Sequence, residues 1–505
     1  MTNPLYDQLF GKYADQTTPF LYTADGAVIT HDAFLKRTAQ VAHVLVAHGL
    51  APGDRVAAQV EKSPMALMLY AACVQAGVVF LPLNTAYTTG ELQYFIENSG
   101  ARLVVCDPAA QDDLGPIVQS LGAQLATLDG QGLGTLAEAA DAMPEQFETV
   151  ARTEDDLAAF LYTSGTTGRS KGAMLTQRNL LSNALTLTDA WRFTKDDVLL
   201  HALPIFHTHG LFVATNICLV AGASMIFLPK FDADQVIARL PAATAMMGVP
   251  TFYTRLLADV RFTGDLVEHM RLFVSGSAPL LSETHVAFEA RTGHRILERY
   301  GMTETNMNTS NPYEGERRAG SVGFPLPGVE LKITDPARGQ EVAAGEVGQI
   351  EVRGPNVFVG YWQMPEKTAA ELREDGFFIT GDLGRLDEDG YVQIVGRNKD
   401  LIISGGYNIY PKEIELVLDA QPGVAESAVI GVPHADFGET VLGLIVAEQG
   451  AGPDLDAAME AVRAELARFK HPRELRLIDA LPRNTMGKVQ KNALRETYKD
   501  VFTPA

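Results

Sequence analysis

Cysteine and positive charge are scarce in this sequence. Its 505 residues include three cysteines, Cys73, Cys106 and Cys218, which are far apart and lack metal-ligand spacing. This argues against a disulfide framework or a zinc ribbon and predicts buried thiols in a cytoplasmic protein. Lysine and arginine number 41 against 62 aspartates and glutamates, which gives a formal net charge of −21. That balance argues against DNA, RNA or an anionic membrane as a partner, but not against a small anion in a local basic pocket.

The sequence also lacks a secretory signal and an unbroken membrane span. No basic segment followed by an apolar run is present at the start of the chain. Two uncharged stretches, 66–83 and 211–229, are long enough to span a bilayer, but glycines at 77 and 222 interrupt them. We therefore predict a buried helix followed by a buried strand in each.

Through the first four hundred residues, short apolar runs alternate with helical patterns, which predicts α/β sheets with helices on their faces. From about residue 320 the pattern changes to short strands with frequent glycine turns, and beyond residue 400 it becomes a mixture of helices and strands. We predict a large N-terminal domain of stacked α/β sheets over 1–396. It includes a β subdomain at about 320–396 and is followed by a small α+β domain over 401–505.

A glycine-rich loop is the strongest local signal. It follows an apolar strand at 157–161 and precedes a helix beginning near Gln177. The loop reads Thr163, Ser164, Gly165, Thr166, Thr167, Gly168, Arg169, Ser170, Lys171 and Gly172. Glycines let backbone N–H groups approach an anion, hydroxyls add donors and Lys171 adds charge, so we predict phosphate binding rather than a flexible surface turn. The spacing does not fit the Walker pattern.

Six further motifs follow in a fixed order. They are Gly276-Ser277-Ala278-Pro279, Tyr300-Gly301-Met302-Thr303-Glu304, Thr380-Gly381-Asp382, residues 396–400, residues 404–408 and residues 482–488. Together with the loop they resemble the signature of the adenylate-forming enzymes, which include acyl-CoA synthetases, luciferases and peptide-synthetase adenylation domains. The resemblance covers essentially the whole chain, and within the superfamily it is greatest to the malonyl-CoA synthetases. It implies ATP, Mg²⁺ and coenzyme A, and a C-terminal domain that rotates about a hinge at 397–400.

The motifs predict an ATP site. Glu304 is a hard oxygen ligand suited to Mg²⁺ shared with phosphates, although a surface carboxylate is the alternative. Thr303 beside it can donate to the α-phosphate. The resemblance implies an adenine site made by Tyr300, Gly301 and Met302 with the wall Gly276, Ser277, Ala278 and Pro279. It also implies ribose contacts from Asp382 and Arg397; an ordinary Asx turn is the alternative for Asp382.

Lys488 follows Gly487 in a loop of turn-forming residues. By itself it would be a solvated lysine, whereas the resemblance implies that it bridges the substrate carboxylate and the α-phosphate. Lys399 matches the hinge, and Gly405 and Gly406 match the lining of the pantetheine path. Lys470 and Arg473 are candidates for the CoA nucleotide. The resemblance also implies a lysine acetyltransferase acting on Lys488, which would remove the charge that adenylation needs.

Residues 248–257 resemble the acyl-pocket helix. If the helix begins after Pro250, Phe252, Arg255 and Leu256 share one face, which predicts that Arg255 binds a carboxylate among apolar groups. An arginine that reaches solvent along its stem is the alternative.

A second polar cluster supports an anionic substrate. The predicted pocket residues are Thr208, His209, Ser275 and Met307, with His207 as a candidate catalytic residue. Such a pocket suits a short diacid, malonate first and methylmalonate second. One carboxylate would be adenylated with release of pyrophosphate and then transferred to CoA with release of AMP.

Other activities are less consistent with the residues. Another short carboxylate is the nearest alternative. No carrier domain follows, as an amino-acid adenylating module would have, and the polar pocket disfavours the large aromatic substrate of a luciferase. An inactive nucleotide-binding regulator would be expected to lack Lys171, Glu304 or Lys488, all of which are present.

Overall fold

The computed structural model describes residues 2–163, 170–336, 338–404, 407–434, 437–450, 452–484 and 487–502. These residues form two compact units. The first lies within 1–319, 323–330 and 352–378, and the second within 320–322, 331–351 and 379–505. The β subdomain predicted at 320–396 is therefore divided between the two units, and the predicted boundaries at 396 and 401 stay predictions.

Helices occur throughout both units. They are α1 Pro4–Leu9, α2 His31–Ala47, α3 Pro64–Ala76, α4 Thr89–Ser99, α5 Gln111–Ser120, α6 Thr135–Asp141, α7 Gln177–Ala190, α8 Asn216–Ala221, α9 Ala233–Arg239, α10 Pro250–Ala258, α11 Gly264–Val267, α12 Ser282–Thr292, α13 Pro365–Glu371, α14 Pro411–Asp419, α15 Leu455–Glu465 and α16 Lys491–Tyr498. A π-helix, His209–Thr215, runs directly into α8.

The two units contain strands β1 to β25, numbered in chain order. They are β1 Pro19–Thr23, β2 Val28–Thr30, β3 Arg55–Gln59, β4 Val79–Pro82, β5 Leu103–Cys106, β6 Gln124–Thr127, β7 Leu157–Thr163, β8 Lys171–Thr176, β9 Val198–His201, β10 Ser224–Phe227, β11 Ala245–Gly248, β12 Leu272–Ser275, β13 Leu297–Met302, β14 Asn306–Ser310, β15 Phe324–Pro325, β16 Glu330–Thr334, β17 Gly348–Arg353, β18 Gly360–Tyr361, β19 Phe378–Leu386, β20 Val392–Arg397, β21 Ile402–Ser404, β22 Tyr407–Ile409, β23 Val424–His434, β24 Gly438–Ala447 and β25 Glu474–Ile478.

The first unit contains two sheets with parallel centres. One has the order β15-β14-β13-β12-β11-β9-β10-β1-β2 and the other β18-β8-β7-β4-β3-β5-β6. Strands β9 to β13 are parallel to one another, and β14 pairs with β13 in the antiparallel direction. Strands β3 to β7 of the other sheet are also parallel to one another. Each sheet is covered by its own cluster of buried apolar side chains. The predicted α/β fold is confirmed, and parallel sheets of this kind bind ligands beyond the carboxyl ends of their strands.

Both uncharged stretches fold as predicted. Helix α3 is followed by strand β4, and α8 by β10, with Gly77 and Gly222 in left-handed conformation at the helix ends. Among the described residues, no helix is both long and apolar enough to cross a membrane. All three cysteines are buried thiols, as predicted.

The second unit is built from two sheets and short helices, and β25 runs parallel to its neighbour β24. A four-stranded sheet has the order β16-β17-β19-β20, and a five-stranded sheet has the order β22-β21-β24-β23 with β25 beside β24. Helices α14 and α15 bury an apolar face against the second sheet. The α+β character predicted for the C-terminal region is confirmed.

Candidate active site

The glycine-rich loop connects a β-hairpin that the sequence patterns did not reveal. Thr163 ends β7 and lies opposite Lys171, the first residue of β8. The helix predicted to begin near Gln177 is α7, which begins there and is capped by Thr176, but strand β8 between the loop and this helix was not predicted. Ser164, Gly165, Thr166, Thr167, Gly168 and Arg169 lie outside the described residues.

The ammonium group of Lys171 is bound within the first unit. Its Nζ lies 3.2 Å from Oε2 of Glu371 and 3.1 Å from the hydroxyl of Tyr361, and it is 4.1 Å from the centroid of the Tyr361 ring. Burial by itself would raise the pKa of Glu371, but hydrogen bonds from Lys367 and Tyr361 and the charge of Lys171 outweigh it and lower that pKa. Glu371 is therefore an anion that already neutralises the cation predicted to meet phosphate.

Glu304 is joined to the same group of residues. It lies with Thr303 in the turn between β13 and β14 and is buried. The Tyr361 hydroxyl is 3.0 Å from Oε1 of Glu304 and 2.7 Å from Oε2 of Glu371, so its single proton can be donated to either carboxylate. Burial and these two carboxylates raise the pKa of Tyr361.

The donor chemistry at Glu304 fits Mg²⁺. Among the described residues, no three His, Cys, Asp or Glu side chains cluster as a metal site. Mg²⁺ held by one or two carboxylates together with substrate phosphates needs no such cluster, and a buried hard oxygen ligand is what it requires from the protein.

The predicted adenine wall follows β12. Ser277 has a positive φ of 71°, an uncommon conformation for a residue with a side chain, and Tyr300 is half-buried in β13. Gly301 is tightly enclosed, because a Cβ there would lie 1.9 Å from the carbonyl oxygen of Asn306 and 2.7 Å from Cε of Met307. Gly276 is also tightly enclosed, because a Cβ there would lie 2.3 Å from Cζ of Arg299. These glycines are fixed by close contacts rather than by turn geometry.

The predicted acid-pocket side chains are buried and largely without partners. Oγ1 of Thr208, Nε2 of His209 and Oγ of Ser275 make no hydrogen bond within the described residues. Nδ1 of His209 is 3.2 Å from the hydroxyl of Ser277, which links the pocket to the adenine wall. Burial and the nearby charge of Arg299 lower the pKa of His209 well below its usual value, so the ring is neutral. Unpartnered buried polar atoms are rare in folded proteins and call for an explanation.

Arg299 is the buried cation of this region, and sequence reasoning missed it. It lies in β13 and is 3% exposed, and neither Nε nor one of its terminal nitrogens has a hydrogen-bond partner within the described residues. Its guanidinium lies against Gly276, where a Cβ would be 2.3 Å from Cζ. Burial lowers the pKa of Arg299 to about 9. The available signal was Glu298-Arg299, two adjacent charges inside a strand between apolar neighbours.

Arg255 is placed differently from the prediction. Helix α10 does begin at Pro250, but the buried residues of its inner face are Tyr253 and Leu256, and Arg255 is exposed. The predicted position among apolar groups is wrong, because the helix turns Tyr253 inward to donate a 2.6 Å hydrogen bond to the carbonyl of Val274. A role for Arg255 in binding the acid stays a prediction.

The two remaining predicted residues, His207 and Met307, each contact another predicted site residue. His207 is half-buried, and its Nδ1 accepts a 3.4 Å hydrogen bond from the backbone N–H of His209. Met307 is buried in β14, with Cε beside Gly301.

In the second unit, the predicted ribose residues form an ion pair. Asp382 in β19 and Arg397 in β20 are register partners, and Nε of Arg397 is 2.7 Å from Oδ1 of Asp382. Asp382 is 3% exposed. The pair places a carboxylate beside a guanidinium, and these are the acceptor and donor chemistries that recognise a diol.

Lys488 lies near this pair in the same unit. Burial and the positive charge of Arg397 lower its pKa to about 8. Its backbone N–H donates to Oδ1 of Asn484 at 2.9 Å, which fixes the turn. Burial also lowers the pKa of Lys399, which lies in a short helix at the predicted hinge.

The candidates for CoA binding are only partly described. Gly405 and Gly406 lie outside the described residues. Lys470 is paired with Glu413 at 2.7 Å, whereas Arg473 is exposed.

The family model of the AMP-binding enzymes matches residues 11–362. The chain belongs to this family. The model of the AMP-binding enzyme C-terminal domain matches residues 413–488. The two matches cover four of the seven motifs that carried the resemblance, and the motifs at 380–382, 396–400 and 404–408 lie between them.

The relatives that this chain resembles include malonate–CoA ligases. The chain is 37% identical over 458 residues to a malonate–CoA ligase of Arabidopsis thaliana, with 84% of this chain and 75% of the relative covered. It is 38% identical over 454 residues to the mitochondrial malonate–CoA ligase ACSF3 of Mus musculus, with 83% and 77% covered. Among solved structures, ATP-bound MatB from Rhodopseudomonas palustris is 59% identical with a TM-score of 0.97 and complete coverage of both chains.

Proposed function

We propose that the protein is an AMP-forming malonate–CoA ligase. It joins malonate to ATP to give malonyl-adenylate and pyrophosphate, and then transfers the malonyl group to the thiol of CoA with release of AMP. Membership of the AMP-binding enzymes and the similarity to malonate–CoA ligases support the reaction class. The buried, unpartnered guanidinium of Arg299 is the observation that supports a diacid.

A buried guanidinium with unused N–H donors is unfavourable, and a planar anion that accepts from them relieves it. Nε and one terminal nitrogen of Arg299 are unused donors, and Arg299 is close enough to the neutral His209 to lower its pKa. Thr208, next to His209 in the chain, has an unpartnered hydroxyl. Arginine binds carboxylates through two parallel hydrogen bonds. The second carboxylate of malonate is therefore assigned to Arg299, which leaves the first free to react. A monoacid of the same length would leave this cation unpaired.

The ATP site follows from the remaining groups. Glu304 would hold Mg²⁺, which when bound neutralises charge on the phosphates. Lys171 is assigned to the phosphates, and Thr303 to the α-phosphate as donor. Tyr300 and the glycine wall bind adenine, and Asp382 with Arg397 binds the ribose hydroxyls.

Lys488 supplies charge to the adenylation step. As a cation it is assigned to the attacking carboxylate and the α-phosphate, whose mutual repulsion is the main obstacle to adenylation. A hinge at 397–400 and a pantetheine path along Gly405 and Gly406 are the parts of this proposal that concern thioester formation.

The test is a panel of acids in two assays. Acid-dependent exchange between ATP and pyrophosphate reports adenylation, and CoA-dependent release of AMP reports thioester formation. We expect the highest kcat/KM with malonate, a lower value with methylmalonate, and little activity with succinate, acetate, hexanoate or amino acids. A preference for any monoacid over malonate would contradict the proposal.

Two further proposals concern the cell. We expect the protein in the cytoplasm, and we expect acetylation of Lys488 by a lysine acetyltransferase to abolish adenylation. Fractionation that finds the protein in another compartment would contradict the first. Mass spectrometry that finds no acetyl-Lys488 in cells with active acetyltransferases would contradict the second.

A further inference from the structure

A buried lysine of the first unit has no role in the reaction described above. Lys62 lies between β3 and α3 and is 5% exposed. Its Nζ is 2.8 Å from Nδ1 of His201 and 2.8 Å from the carbonyl oxygen of the same residue, and it lies 4.2 Å from the centroid of the Phe227 ring. No acidic side chain pairs with it among the described residues. Burial lowers the pKa of Lys62 well below its usual value, so the side chain is costly at this position and its presence needs a reason.

Lys62 determines which nitrogen of His201 carries the proton. Because Nζ donates to Nδ1, that nitrogen is an acceptor, and the ring proton is on Nε2. Nε2 lies 2.9 Å from the carbonyl oxygen of Gly210 and donates to it. Burial, with the charge of Lys62 second, lowers the pKa of His201 well below 6.5, which keeps the ring neutral. The tautomer is thus assigned from its two partners.

The carbonyl of Gly210 belongs to the first turn of the π-helix. It also accepts a 2.9 Å hydrogen bond from the hydroxyl of Thr215. The backbone is closely packed at this point, since a Cβ on Gly210 would lie 2.0 Å from the carbonyl oxygen of Pro204. π-helical turns are rare and are frequent at functional sites. Thr208 and His209 immediately precede Gly210, so a group that holds this carbonyl also holds the backbone from which both side chains extend.

We propose that Lys62 is a positioning residue for the acid pocket, acting through His201 and Gly210 on Thr208 and His209. This inference rests on the proposed function. Neither Lys62 nor His201 is assigned a contact with substrate. Without Lys62, His201 is free to adopt the other tautomer, in which the lone pair of Nε2 faces the lone pairs of the Gly210 carbonyl. The start of the π-helix then moves and distorts the pocket that holds the acid, while Lys171, Tyr361 and Glu304 stay in place through their contacts with one another.

The test is Lys62→Met, which keeps the length of the side chain and removes its donors. We expect the KM for malonate to rise by about tenfold or more, since small displacements of positioning groups have effects of this size. The KM for ATP and the kcat at saturating malonate should change by less than about threefold. Thermal unfolding is measured alongside to establish that the variant is folded.

A matched control is available at the other end of the same helical segment. Nζ of Lys12 donates to the carbonyl of Val220 at 2.8 Å, at the end of α8. Lys12→Met makes the same substitution away from the pocket and should leave both KM values unchanged. If Lys62→Met does not fold, His201→Asn serves instead, because it leaves an acceptor for Lys62 but breaks the bond to Gly210. The same rise in the KM for malonate is expected.

The outcomes distinguish a failure of the proposed function from a failure of the role proposed for Lys62. Wild-type protein without malonate activity would overturn the proposed function. Active wild-type protein whose Lys62→Met variant keeps the same KM for malonate would overturn only the role of Lys62. So would equal rises in the KM for malonate and ATP, or an equal effect of Lys12→Met, since either would mean a general structural role.

Discussion

Replacing Arg299 with methionine should change stability and activity in opposite directions. Burial lowers the pKa of this guanidinium by three to four units from its usual value, to about 9. At about 1.4 kcal/mol for each unit, the charge destabilises the ligand-free protein by up to about 5 kcal/mol. At neutral pH the group is protonated in the folded and unfolded states, so the whole penalty applies there, and it diminishes only as the pH rises through about 9. Methionine fills a similar volume without the charge, so the melting temperature of Arg299→Met should rise.

The loss of activity follows from the two unpartnered N–H groups. Each would form a charge-assisted hydrogen bond with the second carboxylate of malonate, worth about 1.5 kcal/mol after exchange with water. Two such bonds amount to about 3 kcal/mol, so kcat/KM for malonate should fall on the order of 100-fold. Propionate lacks the second carboxylate, and its low activity should stay the same or increase.

The assay is malonate- and propionate-dependent exchange of ATP with pyrophosphate, combined with thermal unfolding. Arg255→Met is the matched control, because it removes an exposed guanidinium from α10 by the same substitution. Unchanged discrimination between malonate and propionate in Arg299→Met would refute the assignment. If only Arg255→Met lost that discrimination, Arg255 rather than Arg299 would be the residue that binds the second carboxylate.

Three further predictions concern the ATP site. Because burial and Arg397 lower the pKa of Lys488 to about 8, its cation is lost as the pH rises through that value, so kcat/KM for adenylation should decline above it. Lys488→Ala should abolish adenylation and spare thioester formation from supplied malonyl-adenylate; a flat pH profile or equal loss of both steps would contradict the role. Asp382→Asn should raise the KM for ATP by about tenfold without altering the KM for malonate, and steady-state kinetics check both. Gly301→Ala places a Cβ 1.9 Å from the carbonyl of Asn306, so it should lower the free energy of unfolding by about 1–3 kcal/mol, and an unchanged denaturation midpoint would contradict this.

The sequence predicted the sheets better than it predicted side-chain directions. Apolar runs such as 103–106 and 272–275 coincide with β5 and β12, because a strand buried on both faces shows as a continuous apolar segment. Strand β8 was missed because its first residues belong to the glycine-rich loop and its pattern is short. Strand β8 is held in place by pairing with β7 and with β18, and β18 is far from it in the sequence.

The acid pocket shows the limit of pattern reasoning most clearly. Arg255 was favoured because helical spacing put it beside Phe252 and Leu256, but spacing does not tell which side of a helix faces the core. Arg299 gave no such periodic signal, and its burial depends on β12 and β14 on either side of it. Likewise, the pairing of Lys171 with Glu371 joins residues two hundred positions apart, which no local pattern contains.

The contact between Gly276 and the guanidinium of Arg299 joins two tasks in one place. The glycine belongs to the wall assigned to adenine, and its missing side chain is also what leaves room for the cation assigned to the acid. Any attempt to redesign the protein for a different acid by reshaping this corner therefore alters the surface against which the nucleotide rests. Acid selectivity and ATP affinity should consequently vary together among variants at these two positions. An engineering screen that measures only acid turnover would therefore also change nucleotide binding without detecting it.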